Sequence, residues 1–274
     1  MPVLCIGIVL ILLMGVWVLW ANTAIKRTDY TVESTRLPQA FSGFRIAQVA
    51  DLHCAEYDTG NEKLLNMLAD AQPDIIVFTG DTVDERHDDL NAVLSFLAEC
   101  VKIAPCYMVT GNHEGAMDYS DYYAYEKEVL DLGVTVLHNQ AVTLEKNGEH
   151  ITLLGVDDEN FGQGILHTPT QLRELAGTDG FCILLSHRPE YFERYAASGI
   201  DLTLCGHAHG GQFRLPLIGG LYAPGQGVFP KYDSGVYTFE HTHTVVSRGI
   251  GQSSFPLRFN NRPELVIVTL GGMD

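Results

Sequence analysis

The sequence predicts an α/β domain in which two sheets pack on one another and helices cover their outer faces. In the first half of the chain strand and helix patterns alternate, whereas the second half is richer in strands. A β-α half followed by a β-rich half favours two packed sheets with the helices outside. Polar residues also follow several predicted strands directly, which is where open α/β sheets bind ligands. The strand ends are therefore where we expect the functional residues.

The first half is predicted to form strand–helix–strand units. Leucine and alanine recur at helical spacing within 61–71, and a second helical pattern begins at Leu90. Apolar runs on either side of these helices have the composition of buried strands. The strands predicted here are 30–36, at an edge of the sheet, 44–50, 75–79 and 106–110.

The second half is predicted to be mainly β. Asn147-Gly148 between two apolar runs is typical of a hairpin turn, and Thr168-Pro169 is typical of a helix start. A further helix is predicted at 189–197, and three antiparallel strands are expected to close the fold. The strands predicted here are 134–137, 141–145, 151–156, 181–186, 201–205, 236–240, 244–247 and 265–270.

The N-terminal segment has the composition of a membrane span. Residues 3–21 are almost wholly apolar, with Trp17 and Trp20 near one end. At about 1.5 Å per helical residue, this stretch is long enough for a hydrocarbon core of about 30 Å, and tryptophans favour the membrane interface. We therefore predict a single-pass membrane anchor with its flank over residues 1–25 and one domain over residues 26–274.

Two other interpretations of this segment stay open, a cleaved signal peptide and a buried core helix. A basic stretch before the apolar run is missing, unlike in a signal peptide, but Ala21-Asn22-Thr23-Ala24 is compatible with cleavage. The side of the membrane is also open. Lys26, Arg27 and Arg36 follow the apolar run, so the positive-inside rule favours a cytoplasmic domain.

Charge and cysteine content limit the partners of this chain. The formal net charge is −17, and no basic stretch interleaved with aromatic residues is present. Such a chain would be repelled by the phosphates of nucleic acids, and its charge therefore disfavours them as partners. The six cysteines include no C-x-x-C pair, which favours free thiols over a disulfide framework or a zinc knuckle.

Seven residues that can bind metal ions follow five of the predicted strands. Mixed carboxylate, amide and imidazole donors suit divalent ions such as Mn, Fe and Zn. Seven donors are too many for one open catalytic ion and suit two ions, bridged by a carboxylate. Such a pair would hold a phosphoryl group and lower the pKa of a bridging water, which makes hydroxide available as a nucleophile. The seven are Asp51, His53, Asp81, Asn112, His187, His207 and His209.

The motifs that contain these donors resemble those of the calcineurin-like metallophosphoesterase superfamily. In order, they are Asp-x-His, Gly-Asp-x-x-Asp, Gly-Asn-His-Glu, a lone His and Gly-His-x-His over residues 51–209. The resemblance implies a four-layer α-β-β-α sandwich and places His113 near the leaving group, supported by Asp84. It also implies that Asp81 bridges two ions. One ion would take Asp51, His53, Asp81 and His209, and the other Asp81, Asn112, His187 and His207.

Further motifs are similar to the bacterial membrane-associated phosphodiesterases of the YkuE and YaeI type. These motifs are 206–212, Leu215-Pro216-Leu217, Ser247-Arg248-Gly249 and Arg258-Phe259. That group is related to enzymes that hydrolyse the pyrophosphate of UDP-diacylglucosamine.

The resemblance and the anchor together imply hydrolysis of a phosphodiester or pyrophosphate in a phosphorylated small molecule or a lipid-linked substrate. Arg248 and Arg258 are candidate substrate contacts, because a guanidinium could neutralise charge on the phosphoryl oxygens. Two alternatives stay open, a nucleotide phosphodiesterase or nuclease with the same centre and a non-catalytic metal-binding membrane scaffold.

Overall fold

Two six-stranded sheets form the centre of the domain among the residues that the computed structural model describes, which are 2–84, 90–162, 167–177, 180–252, 255 and 257–272. The helices are α1 (Pro2–Thr23), α2 (Glu62–Ala71), α3 (Leu90–Ile103), α4 (Asn112–Ala116), α5 (Tyr119–Asp131), α6 (Pro169–Ala176) and α7 (Phe192–Ala197). The strands are β1 (Lys26–Ser34), β2 (Arg45–Val49), β3 (Ile75–Thr79), β4 (Cys106–Val109), β5 (Thr135–Val136), β6 (Gln140–Lys146), β7 (Glu149–Gly155), β8 (Cys182–Leu185), β9 (Leu202–Cys205), β10 (Arg214–Leu215), β11 (Gly219–Gly220), β12 (Tyr222–Ala223), β13 (Gly227–Val228), β14 (Gly235–Phe239), β15 (Thr242–Val246) and β16 (Glu264–Gly272).

The strand order places the ends of several parallel strands at one edge of each sheet. The first sheet has the order β1-β16-β2-β3-β4-β5, and the second has the order β14-β15-β9-β8-β7-β6. Strands β2 to β5 run parallel to one another, as do β7, β8, β9 and β15. The loops that follow parallel neighbours leave a sheet at the same edge, which is where α/β folds build their sites.

Strand β3 shows how the layers are specified. Ile75 and Val77 lie in the core between the two sheets, in a cluster with Leu153 of the second sheet. Ile76 and Phe78 point the other way and pack with α2 and α3. A strand that is buried on both faces is apolar at nearly every position. Helices α6 and α7 cover the outer face of the second sheet, so the predicted four-layer α-β-β-α sandwich is confirmed.

The expectation of three closing antiparallel strands is wrong in part. Strands β14 and β15 form an antiparallel hairpin, but β15 runs parallel to β9. Strand β16 lies in the other sheet, parallel to β1 and antiparallel to β2. Side-chain periodicity indicates which face of a strand is buried, but it carries no information on which distant strand lies alongside.

Helix α1 exposes apolar side chains along most of its length. Ile11 is 72% exposed and Leu19 is 70% exposed. A core helix of a soluble domain would bury such side chains, so that alternative does not fit. Within the described part of the chain, α1 is the one helix long and apolar enough to cross a membrane, over residues 6–23.

A half-buried histidine links helix α5 and the two sheets beyond the end of β5. His138 contacts Glu126 of α5 through Nε2 at 2.6 Å. Its Nδ1 lies 2.8 Å from Asp157, which follows β7. The hydrogen bond and charge of Asp157, together with Glu126, raise the pKa of His138 to about 9 against the effect of burial. A charged imidazole therefore joins these elements at neutral pH.

We expect His138→Gln to lower the free energy of unfolding by about 1–2 kcal/mol near pH 6, which allows for solvent screening of this half-buried group. The unfolded imidazole has a pKa of about 6.5. The stabilisation is therefore complete below that pH and is lost as the pH rises through about 9. Urea unfolding of both proteins in detergent, near pH 6 and near pH 10, measures the difference. An equal difference in the free energy of unfolding at the two pH values would contradict a stabilising charge on His138.

Candidate metal centre

The predicted metal ligands lie just beyond the carboxyl ends of five strands, three in the first sheet and two in the second. Because the sheets pack face to face, the loops after these strands meet above the core. In chain order the ligands are Asp51 and His53 after β2, Asp81 after β3, Asn112 after β4, His187 after β8, and His207 and His209 after β9.

Five of these seven residues have a left-handed backbone conformation. For residues other than glycine such a conformation costs about 1–2 kcal/mol, although Asp, Asn and His adopt it more often than most. Strain of this kind persists where the surrounding structure imposes it, and it concentrates at binding and catalytic sites. The five, with their φ angles, are Asp51 (50°), His53 (47°), Asp81 (51°), His207 (66°) and His209 (44°).

Gly80 lets the loops after β3, β4 and β8 approach one another. Its φ is 85°, and a Cβ atom there would lie 2.6 Å from Nδ1 of His187 and 2.8 Å from Cα of Gly111. Both distances are shorter than real Cβ contacts. The glycine before Asp81 is therefore required by close packing as well as by its backbone conformation.

The first group of donors consists of two carboxylates and two imidazoles. Asp51, His53, Asp81 and His209 each contribute one ligand atom, and these atoms all lie within 4.8 Å of one another. Nε2 of His53 lies 3.2 Å from Nε2 of His209 and 3.7 Å from Oδ2 of Asp81. All four residues are buried, so the group forms a compact, enclosed set of nitrogen and oxygen donors.

The second group shares Asp81 with the first. Asp81, His187 and His207 again place one ligand atom each within 4.8 Å of the others. Nε2 of His187 lies 3.2 Å from Oδ2 of Asp81, 3.0 Å from Nδ1 of His207 and 3.2 Å from Oδ1 of Asn112. The same carboxylate oxygen of Asp81 therefore faces both groups, as a bridging ligand would.

Burial and charge set the protonation of these side chains. Burial lowers the pKa of His53 to about 4 and holds the pKa values of His207 and His209 well below the usual range, so these rings are neutral. Burial opposes ionisation of Asp81, yet the charge of His187 keeps its pKa well below the usual value. Asp81 in turn raises the pKa of His187 to about 10 against the effect of burial. His53, His207, His209 and Asp81 are thus in the forms that bind metal ions, whereas His187 would have to release its proton when an ion binds.

The donors fit divalent metal ions in chemistry and in position. Oδ2 of Asp51 and Nε2 of His207 are buried and have no hydrogen-bond partner among the described residues. A buried carboxylate oxygen needs a partner, and a cation would supply one. Nδ1 of His187 lies 2.9 Å from the carbonyl oxygen of Thr79, the kind of contact that orients a metal-binding ring. Two ions could share this cluster.

His113 and Asp84 lie beside the first group. Nδ1 of His113 is 3.6 Å from Oδ1 of Asp84, and its ring meets that of His53 edge to face with centroids 4.6 Å apart. The backbone N–H of His113 donates to Oδ1 of Asp81 at 2.8 Å. The structure therefore brings both residues to the metal centre, while their catalytic roles stay predictions.

Comparison with known proteins decides the family. The family model for the calcineurin-like phosphoesterases, Metallophos, matches residues 44–211, which contain every predicted metal ligand. The chain belongs to the calcineurin-like phosphoesterase family. It is 32% identical to the metallophosphoesterase YkuE of Bacillus subtilis over 254 residues, which cover 90% of this chain and 85% of YkuE. It is also 32% identical to the phosphodiesterase YaeI of Escherichia coli over 238 residues, or 83% of this chain and 82% of YaeI.

A solved structure agrees with this fold. TT1561 of Thermus thermophilus superposes with a TM-score of 0.50 at 13% identity, covering 76% of this chain and 90% of that protein. The family model and the two relatives confirm the predicted resemblance to the metallophosphoesterases, with homologues YkuE and YaeI. They also confirm the prediction that this phosphoesterase is a phosphoric ester hydrolase.

Arg258 lies behind the metal centre of the phosphoesterase. Its side chain is fully buried, donates to the carbonyl oxygens of Arg248 and Gly251, and has Nη2 3.3 Å from Nδ1 of His209. It would therefore act on a substrate indirectly, through the predicted ligand His209 that it contacts. Arg248 lies beside Glu264, with its Nε 3.8 Å from Oε1. Direct substrate contact by either arginine stays a prediction, and the burial of Arg258 does not favour it.

Glu114 is a residue of the site to which the sequence motifs assign no role. Its buried carboxylate accepts hydrogen bonds from the backbone N–H groups of Asp81 at 2.9 Å, Thr82 at 2.7 Å and Gly111 at 2.7 Å. The hydroxyl of Thr82 donates to it at 2.6 Å. Glu114 thus ties the loop after β3 to the start of α4. The local signal is a glutamate in the first turn of a helix that begins after Gly111.

The acidic run Asp157-Asp158-Glu159 differs from the solvated turn that such a sequence usually forms. Asp158 is buried and accepts two hydrogen bonds from Arg188, at 2.6 and 3.0 Å. Glu159 lies 3.1 Å from the same guanidinium and accepts a hydrogen bond from Tyr191. These carboxylates neutralise Arg188, which directly follows the predicted ligand His187, so they support the site without joining either donor group.

We expect Glu114→Ala to lower the free energy of unfolding by about 3–5 kcal/mol, because three buried N–H groups lose a charged acceptor. Glu114→Gln should lower the free energy of unfolding by less, since its amide oxygen still accepts hydrogen bonds. Urea unfolding in detergent measures both losses. Glu128→Ala, at an exposed position of α5, is the control and should change stability by no more than about 0.5 kcal/mol. If Glu114→Ala lowered the free energy of unfolding no more than the control does, Glu114 would not be what holds the loop after β3 to the start of α4.

Proposed function

We propose that this phosphoesterase cleaves a phosphodiester or pyrophosphate bond in a lipid-linked substrate, such as a UDP-diacylglucosamine-like glycolipid precursor. The observation that carries the proposal is the pair of donor groups that share Oδ2 of Asp81, with His113 alongside. The relative YaeI is named a phosphodiesterase, and α1 would hold the domain at a bilayer. A phosphodiester or pyrophosphate bond in a lipid would suit both a phosphodiesterase-like activity and a domain that is held at a bilayer.

The residues around the centre have separate tasks in this proposal. Two divalent ions of the Mn, Fe or Zn type, when bound, supply positive charge for the phosphoryl oxygens and acidify a water molecule. Asp51, Asp81 and Asn112 contribute oxygen ligands, and the four histidines of the two groups contribute nitrogen. His113 donates a proton to the leaving oxygen, while Asp84 orients the ring.

We also propose that residues 1–25 form a membrane anchor with its flank and that residues 26–274 form the phosphoesterase domain. The exposed apolar side chains of α1 support the anchor. The basic residues Lys26, Arg27 and Arg36 favour the cytoplasmic side by the positive-inside rule. The net charge of −17 disfavours nucleic acid as a substrate.

The function is tested with the full chain in detergent, stripped of metal and titrated with Mn²⁺, Zn²⁺ or Fe²⁺. We expect two ions to bind and a chromogenic phosphodiester to be cleaved faster than the matching monoester. A lipid-linked pyrophosphate in mixed micelles should be cleaved with a higher kcat/KM than nucleotide diesters. Binding without turnover of any of these substrates would favour the scaffold, and a preference for nucleotides would favour the nucleotide phosphodiesterase.

We expect His113→Ala to lower kcat on the phosphodiester by about 10²–10⁴-fold, the usual contribution of a general acid, and to leave metal stoichiometry unchanged. Asp81→Asn should lower both activity and stoichiometry, because it weakens the ligand that faces both groups. Steady-state kinetics and metal analysis measure these effects. His150→Ala, at an exposed position of β7, is the control. Full activity in Asp81→Asn would exclude the proposed centre.

A further inference from the structure

An exposed apolar surface lies close to the metal centre. It consists of the segment 215–229 with Phe255 and Leu257, and we call it the apolar rim. Segment 215–230 carries no charged side chain in a chain with 51 of them, from 17 basic and 34 acidic residues. Most of its large side chains are exposed, and Leu217 is fully exposed. Soluble proteins rarely leave such a surface uncovered.

The two parts of the rim are joined to each other and to a metal-ligand loop. Nε2 of Gln212 donates to the carbonyl oxygens of Phe255 at 2.6 Å and Leu257 at 2.7 Å. The rings of Phe213 and Phe255 lie 5.4 Å apart. Gln212 is three residues from the predicted ligand His209, with which it shares a turn. The rim therefore has a fixed position relative to the metal centre.

The end of α1 is attached to the same part of the domain. Asn22 is buried and pairs with the backbone of Arg258, donating to its carbonyl oxygen at 2.9 Å and accepting from its N–H at 2.7 Å. The rings of Trp17 and Phe259 lie 5.4 Å apart. The guanidinium of Arg262 lies 4.7 Å from the ring centroid of Trp20. Helix α1 is thus docked against the domain and is not a loose tether.

These contacts set the height of the domain above a membrane. In a bilayer that α1 spans, Trp17 and Trp20 lie at the interface between hydrocarbon and headgroups. Phe259, which touches Trp17, then lies at the same level. The carbonyl oxygen of Phe259 accepts from the N–H of Arg214 at 2.9 Å, directly before the rim begins. The uncharged rim therefore starts at the depth of the headgroups.

We infer that the apolar rim inserts into the same bilayer interface as the end of α1, as a second membrane contact that holds the metal centre at the depth of lipid phosphates. The occupant is a lipid surface, because the rim continues from the docked end of a membrane-spanning helix. The contact between Arg262 and Trp20 pairs a basic with an aromatic side chain, and membrane interfaces favour both kinds of residue. This inference rests on the proposed anchor and deepens the proposed function, since it restricts the substrate to one embedded in the bilayer.

Photo-crosslinking of the full chain in phosphatidylethanolamine–phosphatidylglycerol vesicles tests the contact without any need for turnover. Benzoylphenylalanine replaces Phe229 or Leu217 in the rim. The control replaces Tyr119, which is exposed on α5 beside β5, at the far edge of the first sheet from β1. We expect phospholipid adducts at both rim positions and none at the control. Adducts to a second copy, or no lipid adducts while the chain stays in the vesicles, would overturn the inference.

Kinetics then separate the role of the rim from the chemistry. The double variant Leu217→Ser with Phe229→Ser should lower kcat/KM about tenfold for a vesicle-embedded phosphodiester and leave the soluble chromogenic diester unchanged. The matched control is Tyr119→Ser with Leu130→Ser, two exposed apolar side chains of α5, which should alter neither rate. An equal loss on both substrates would overturn the inference. If wild type cleaves neither substrate, the proposed function fails, and the crosslinks alone decide the membrane contact.

Discussion

The structure depends on burying the carboxylate of Asp81 among imidazole rings that two different sheets supply. A buried charge is costly unless it is paired, so the surrounding loops must hold their partners within about 4 Å of it. His187 and His53 lie at 3.2 and 3.7 Å, and Glu114 fixes the backbone of Asp81 itself. The left-handed conformations and the close approach at Gly80 follow from this requirement, because relaxed loops would not converge so tightly.

The sandwich makes such convergence attainable. Parallel strands in each sheet direct successive loops to one edge, and the core between the sheets fixes the distance between the two sets of loops. Neither sheet alone holds a complete donor group, since Asp81 comes from the first sheet and His187 from the second. Packing in the core, through side chains such as Val77 and Leu153, therefore determines ligand distances in the site. A change in the packing of the core would therefore also change the distances between the ligand atoms.

Much of this could be predicted from the sequence because the relevant signals are local. Each ligand motif lies within a few residues of an apolar strand. The spacing of apolar residues, about every second residue in strands and about every 3.6 residues in helices, identifies both kinds of element. What could not be predicted depends on contacts between distant segments. The carboxylate of Glu114 meets a loop more than 30 residues away, the acidic run meets Arg188, and Arg258 is buried against His209. The position of β16 between β1 and β2 also depends on contacts between distant segments.

The parallel pairing of β1 with β16 has a consequence for how the chain matures. Strand β1 follows α1 almost directly, yet its nine residues pair with the last strand described, from Lys26 with Glu264 to Ser34 with Gly272. Contacts of such long sequence separation form slowly. During synthesis, β1 and β2 are made long before the strand that lies between them. Until β16 is inserted, β1 and β2 therefore expose unpaired strand edges, which favours non-native pairing and aggregation.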